Sequence, residues 1–420
     1  MTGFSFIHAA DIHLDSPLSG LSVYEGAPVE LLRGASRAAF GNLIDEAIRE
    51  RVDFMVIAGD LYDGAWKDFN TGLFFSGEMG RLEREEIPVF IIHGNHDAES
   101  ELTRHLTLPG NVTVFSARKA ETHRLEHLGV ALHGQSFRNV KTEENLAVGY
   151  PPAVPDCFNI GILHTAVEGH AAHATYAPCL LSDLIDKGYD YWALGHVHEH
   201  KILNENPLVA FPGNLQGRHI GETGPRGALL VVVANGKPAV ERLFVDTVRW
   251  RRIEIDAGAA HSLQDVVRLA RDRLETLLRE GSDGRPLAIR ILFTGRSRAH
   301  GELFGLEAQL RAEILAAANA LGDNGLWIEK VILDTTPELD AAAIEARSDA
   351  IADLQGILAK AGSEPDIRQR IIDDLMELVA KAPLELIDAV PELGAIKAGK
   401  IEDQLDKISL GLIAHMAGEG

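Results

Sequence analysis

Five short motifs place oxygen and imidazole donors along the first half of this chain. They are DIH with Asp11 and His13, GDLYD with Asp60 and Asp63, GNHD with Asn95, His96 and Asp97, LHT with His164, and GHVH with His196 and His198. Mixed His, Asp and Asn ligands without thiolate suit manganese, iron or zinc better than calcium. Two divalent ions about 3.5 to 4 Å apart give a hydroxide at neutral pH and positive charge against the transition-state oxygens, which is what hydrolysis of a phosphodiester requires. One carboxylate must then lie between the ions. Any one of these motifs is weak, because an Asp-x-His pair is common by chance and a lone His at a strand end is usually a hydrogen-bonded core residue. All five in this order, each after an apolar run, make coincidence a poor explanation.

The runs that must position them are FSFIHAA (4–10), VDFMVIAG (52–59), VFIIHG (89–94), NIGILHT (159–165), YWALGH (191–196) and ALLVVVA (228–234). Continuous Val, Ile, Leu and Phe of this length predict strands buried on both faces. In such α/β sheets functional loops gather beyond the carboxyl ends of the strands, where Asp11, Asp60, Asn95, His164 and His196 fall. Fifteen of the 18 histidines lie at or before His219, which assigns the chemistry to residues 1–249. Residues 250–336 read strand, helix, strand, helix, strand, a small βαβαβ domain with apolar residues at helical spacing, among them Leu263, Val266, Leu274 and Leu277. Residues 337–420 are mainly helical in pattern, broken at Pro365, Pro383 and Pro391. In this last region Ile367, Ile371, Ile372, Leu375, Leu378 and Val379 form one apolar stripe, open to packing on the chain itself or on a partner.

Composition bounds the rest. The chain has 420 residues, 46% hydrophobic and 24% charged, enough for a large domain and one or two smaller ones. Cys157 and Cys179 supply neither a disulfide framework nor a structural zinc site. No apolar stretch is long enough to cross a membrane, and the amino terminus runs directly into a strand without a basic leader, so a cytoplasmic protein is expected. The net charge is −22. Residues 1–250 hold 20 Lys and Arg against 32 Asp and Glu, and residues 251–420 hold 20 against 30, so neither half is basic. A nucleic-acid substrate would have to be met by bound cations, by a local basic patch or by a partner. His8, His93 and His133, inside strand-like runs, read as core or supporting groups, and His170 and His200, just beyond ligand motifs, as solvent-exposed sooner than in contact with substrate. Arg218 and His219, in GNLQGRH, follow a strand near the expected metal face, and the Arg218 fork suits a phosphate.

The ordered set DIH, GDLYD, GNHD, LHT and GHVH resembles the calcineurin-like metallophosphoesterase superfamily, whose α/β fold is a four-layer αββα sandwich. The stretches HAADIHLDSPLSGL, GDLYDGAWKDFNTGLFF and FPGNLQGRH resemble its SbcD and YhaO branch of DNA repair exonucleases. That resemblance implies that Asp11, His13, Asp60 and His198 hold one ion and that Asp60, Asn95, His164 and His196 hold the other, with Asp60 as the bridge and Mn2+ as the expected metal. It also implies that His96 is the catalytic histidine, stabilising the scissile phosphate or protonating the leaving oxygen. Asp63 is then read as the partner of His96, against a simpler role in capping the following turn. A DNA-contacting cap over 250–336, DNA as substrate and an SbcC-like, SMC-like ABC ATPase bound by the carboxyl-terminal helices follow from the same resemblance, and a homodimer is compatible with it. The runner-up is a phosphodiesterase or phosphatase for a nucleotide or other small ester. A catalytically silent scaffold for a repair ATPase is the third reading, against which the complete ligand set speaks.

Overall fold

Each of the six apolar runs forms a strand in the computed structural model of the chain. The structure describes residues 3–16, 29–63, 69–99, 107–167, 176–280, 283–322, 325–338, 364–381 and 391–397, with positions 353 and 357. Two compact units result, Met1–Leu18 with Pro28–Trp250, and Ser19–Ala27 with Arg251–Gly420.

In the first unit twelve strands make two six-stranded sheets. One runs in the order β12 (Lys237–Phe244), β11 (Gly227–Ala234), β1 (Phe4–Ala9), β2 (Phe54–Ala58), β3 (Val89–Ile92) and β4 (Val112–Val114). The other runs β5 (Glu121–Leu125), β6 (Val130–Gly134), β7 (Phe158–His164), β8 (Tyr191–Gly195), β10 (Leu208–Phe211) and β9 (Lys201–Glu205). Strands β1 to β4 pair in parallel, as do β6, β7, β8 and β10. Each sheet therefore gathers the carboxyl ends of its central strands at one edge, which is where the donor motifs begin.

The sheets face each other across a core of Phe4, Phe6, Phe54, Val56, Ile160, Ile162, Tyr191 and their neighbours. Phe6 and Phe54, paired in register on β1 and β2, stack with ring centroids 4.8 Å apart. On the outer face of the first sheet lie α1 (Val29–Glu50) and α2 (Phe69–Arg84). Helix α2 buries Thr71, Gly72, Phe75, Met79 and Leu82, a stripe at helical spacing, into the outer core with Ile57 and Ile91. The second sheet carries on its outer face α4 (Leu181–Ile185) and a 3-10 turn at Leu146–Gly149, packed with Leu163, Trp192 and Phe211. Helix, sheet, sheet and helix form the four-layer αββα sandwich expected above. Between α2 and β4, Asn95–Glu99 forms the short helix α3.

The second unit contains β13 (Arg249–Asp256), α5 (Leu263–Glu280), β14 (Leu287–Thr294), a two-residue β15 (Arg296–Ser297), α6 (His300–Leu303), α7 (Glu307–Ala320), β16 (Leu326–Leu333) and β17 (Thr336–Pro337). The three long strands align as β13-β14-β16, with α5 and α7 packed on a core of Ile255, Leu274, Ile289, Phe293, Leu310 and Ile314. Ser262 starts α5: its Oγ accepts from Asp265 N, and the Asp265 carboxylate accepts from His261 N. Beyond it, α8 (Pro365–Lys381) lays Ile372, Leu375 and Val379 of the predicted stripe against Leu393 and Ile396 of α9 (Pro391–Lys397). Ile367 stays exposed. The side chain of Leu378 and most of 339–363 lie outside the described residues. No helix among the described residues is long and apolar enough to cross a membrane.

Candidate metal centre

The backbone at the strand ends turns through the left-handed region where a donor must point inward. Asp11, His13 and Asp60 have φ of 50°, 46° and 52°, and His196 has 104°. Non-glycine residues hold such angles only where surroundings compel them. Here Asp11 N donates to Gly59 O at 3.0 Å and His13 N to Asp60 O at 3.0 Å, which locks the first two motifs together. Close approach also demands glycine. A Cβ on Gly94 would lie 2.3 Å from Asp60 Oδ1, and one on Gly195 would lie 2.0 Å from Ala58 O.

The buried Asp60 carboxylate is the hub. Its Oδ1 accepts from His96 N at 3.0 Å, and its Oδ2 lies 3.4 Å from His164 Nε2 and 3.9 Å from His13 Nε2. Burial raises the Asp60 carboxyl, but the His164 and His13 rings more than offset it and hold it well below the usual range. Burial pulls the His164 ring down and Asp60 more than restores it, to about 9. Asp11, raised by its own burial, accepts from His196 N at 3.0 Å and lies 3.9 Å from His198 Nε2. His13 is lowered to about 4, by burial first and then by the Arg218 charge. The donors fall into three overlapping groups, Asp11 with His13 and His198, His13 with Asp60 and His96, and Asp11 with Asp60 and His164. Asn95 joins through Oδ1, 3.1 Å from His164 Nε2, and the His196 ring stands edge-on to His164 with centroids 5.2 Å apart.

Proton positions show what this arrangement fits. His164 Nδ1–H donates to Ala58 O at 2.9 Å, so in the neutral ring Nε2 presents a lone pair to the oxygens of Asp60 and Asn95. His198 Nδ1–H donates to Glu222 Oε1 at 2.7 Å, and its Nε2 faces His13 Nε2 at 3.3 Å. A proton on His164 Nε2, which its raised pKa favours, and one shared by the His13 and His198 Nε2 atoms each occupy a place that a divalent cation can take among these buried imidazoles and carboxylates, so the donor set fits divalent metal.

Two predicted residues bear on His96. Asp63 Oδ1 is 3.1 Å from His96 Nδ1, and its Oδ2 accepts from Ser16 Oγ at 2.6 Å. Arg218 lies over the same region, its NH2 3.3 Å from Glu222 Oε1 and its buried Nε–H without a hydrogen-bond partner among the described residues. His219 is set apart, with its side chain 63% exposed. His8 and His133 are core groups, as expected. His8 donates from Nε2 to Leu194 O and accepts from the Tyr191 hydroxyl, and burial lowers it to about 3. His133 bridges Thr122 and Asn159. His200 differs from expectation: it is half-buried, and its Nδ1–H donates to Phe211 O at 3.1 Å. His170 lies outside the described residues.

Sequence reasoning missed Glu222. Buried in the loop after β10, it accepts from His198 Nδ1, from Arg218 N at 2.8 Å and from Asn214 Nδ2 at 2.9 Å. The Arg226 guanidinium fixes that loop through Asn214 Oδ1, Thr223 O and His198 O. Burial raises Glu222, but His198 and Arg218 outweigh it and hold it well below the usual carboxylate range. Asp97 was seen in its motif without a role. Its carboxylate accepts from Leu61 N, Tyr62 N and Gly94 N, joining the loop that carries Asp60 to the one that carries Asn95. Because a carboxylate behind a ligating imidazole typically changes metal affinity about 10- to 100-fold, Glu222→Gln is expected to weaken one of two bound ions by that factor. Competition with a chelator measures it, and an unchanged affinity for both ions would remove Glu222 from the centre.

Comparison with known proteins places this geometry. Residues 4–200 match the family model described as calcineurin-like phosphoesterase, and residues 250–336 match the middle domain of metallophosphoesterase YhaO. The chain is 35% identical over 299 residues to the uncharacterized metallophosphoesterase YhaO of Bacillus subtilis (strain 168), covering 70% of this chain and 72% of that relative. The chain belongs to the calcineurin-like phosphoesterases. It is accordingly a metal-dependent hydrolase of phosphate esters, with two divalent ions as the family's complement. Among solved structures it is similar to a dimetal phosphatase from Danio rerio, at 14% identity over 55% of this chain and 93% of that one, with a TM-score of 0.35. It is also similar to the protein TT1561 of Thermus thermophilus, at 14% identity over 57% of this chain and 99% of that one, with a TM-score of 0.34.

Proposed function

We propose that the protein is the nuclease subunit of a DNA repair system, an exonuclease of the SbcD and YhaO kind that hydrolyses phosphodiester bonds with Mn2+. The observation that carries the hydrolytic part is the sharing of Asp60 between donor groups that also contain His13, His96, Asp11 and His164. Asp11, His13, Asp60 and His198 would hold one ion, and Asp60, Asn95, His164 and His196 the other. When bound, the ions supply an activated water and charge against the phosphate oxygens. The DNA part is supported by the three SbcD-like stretches around Asp11, Asp60 and Arg218.

The chain's own residues set up the rest. Asp63 orients His96 through Nδ1, which leaves Nε2 to face the scissile group and to give a proton to the leaving oxygen. Arg218, whose Nε–H has no hydrogen-bond partner among the described residues, would meet a non-bridging phosphate oxygen. His219, at the rim, would meet substrate only further from the metals. An SbcC-like ATPase partner, engaged by the carboxyl-terminal helices in the cytoplasm, completes the reading and would supply the basic surface that neither half provides.

The net charge of −22 favours a second reading, a phosphodiesterase or phosphatase for small esters. Labelled DNA duplexes tested beside cyclic nucleotides and phosphomonoesters with Mn2+ separate the two. Release of nucleotides from DNA ends is the expected result, and turnover of only the small esters overturns the repair assignment.

Asp63 gives a pH test. Its hydrogen bond is the largest influence on His96 and, with Asp60, outweighs burial to raise the imidazole above its ordinary value. A general acid is active while protonated, so the rate falls as pH rises through this pKa. Removing the Asp63 charge lowers the pKa. The alkaline limb of the kcat profile is therefore expected to move to lower pH in Asp63→Asn, with a smaller rate loss than in His96→Ala. An unmoved limb would leave Asp63 with turn capping alone.

A further inference from the structure

We propose that the cleft lined by Arg118, Arg138 and Lys141 is a subsite for a backbone phosphate of a nucleic-acid strand whose scissile phosphodiester lies at the metal centre. This rests on the nuclease reading above and adds a place for the strand. The cleft has a volume of about 240 Å³ and is also lined by Glu143 and Glu144, three cations against two carboxylates in a chain whose net charge is −22.

Topology puts it beside the catalytic edge. β4 pairs in parallel with β3, which leads to Asn95, and β6 pairs in parallel with β7, which ends in His164. Arg118 and Arg138 each come four residues after the end of their strand, β4 and β6 respectively. They therefore emerge at the same edge as the metal-bearing loops, one strand spacing of about 4.8 Å further along each sheet. The junction is tight. Phe137 N donates to His93 O at 2.8 Å, and the Phe137 ring stands edge-on to His164 with centroids 5.5 Å apart. Buried Ser136 donates from Oγ to Phe115 O and accepts from His93 N, tying both cation-bearing segments to the turn that carries Asn95. Ala177 N donates to Thr142 O and fixes the far side of the loop.

Exposed cations are commonly just solvated. These three differ in sharing a concave site with two glutamates and yet taking part in no ion pair among the described residues. Arg37, Arg49, Arg81, Arg249 and Arg290, by contrast, are each held by a carboxylate. Unpaired donors that line one cleft are available to a phosphate, for which the guanidinium fork is suited.

The test uses the full chain loaded with Mn2+, bis(p-nitrophenyl) phosphate as reporter and a phosphorothioate single-stranded oligonucleotide as inhibitor. The paired substitution Arg118→Ala and Arg138→Ala is expected to raise the inhibition constant about tenfold and to flatten its salt dependence, with reporter kcat and KM and metal content unchanged. Lys141→Ala is expected to act in the same direction with a smaller effect. Failure of the oligonucleotide to inhibit the parent protein, an unchanged inhibition constant, or an equal loss of reporter turnover would each overturn the proposal. If the parent protein cleaves no ordinary oligonucleotide while inhibition still depends on Arg118 and Arg138, the exonuclease reading fails and the subsite stands.

Discussion

Asp60→Ala is expected to bind neither ion tightly and to lose at least about a thousandfold in kcat/KM for bis(p-nitrophenyl) phosphate, roughly 4 kcal/mol of transition-state stabilisation. The reason lies in what one carboxylate does at once. Its two oxygens face His164 Nε2, His13 Nε2 and the His96 amide, so its loss removes the one anion that two of the donor groups share. A backbone effect could imitate this outcome, since Asp60 sits at φ 52° and alanine tolerates that region less well than aspartate. Asp60→Asn provides the control. It keeps the shape, the tolerance of φ and an oxygen for the His96 amide, and removes only the charge. Loss of metal in both variants, with circular dichroism unchanged in the second, assigns the effect to the shared carboxylate. Two tightly held ions in either variant would show that Asp60 does not bridge them.

His96→Ala is the second large effect, and it separates chemistry from binding. The ring is 38% exposed and held by Asp63 at 3.1 Å, the geometry of a group that faces a substrate. Both ions should remain while kcat falls about 10²- to 10⁴-fold, the usual contribution of a positioned general acid. The loss should be larger for an ester with a poor leaving group than for a nitrophenyl ester, because a stable phenolate needs no proton. His96 also falls within ligand distance of His13 and Asp60, so metal retention is decisive. A variant that loses an ion would make His96 a ligand, and one with near-normal turnover would leave it without a role.

The donor motifs were legible because each closes a run of apolar residues buried on both faces, and such runs carry their own register into the sheet. Less conspicuous strands were not. β5, β9 and β12 are edge strands that are exposed or only half-covered, with sequences ETHRL, KILNE and KPAVERLF that lack a continuous apolar run. Glu222 was illegible for a different reason. Its partner His198 is 24 residues away, and the loop that joins them is held by the side chains of Asn214 and Arg226, which no local spacing announces. Asp97 could be seen in its motif, but its work, accepting three amide protons from two loops, depends on parallel pairing of β2 with β3. The carboxyl-terminal stripe was visible as a pattern. Its cover by α9 came from the fold, since a stripe does not name what it packs against.

The most direct test of the account is metal stoichiometry measured together with rate. Protein stripped by chelation is titrated with Mn2+ while bound metal and hydrolysis of bis(p-nitrophenyl) phosphate are followed on the same sample. Two ions per chain are expected, with turnover absent from the stripped protein and reaching its full value only as the second ion binds. Saturation at a single ion, or hydrolysis by the stripped chain, would contradict the two-metal centre built on Asp60.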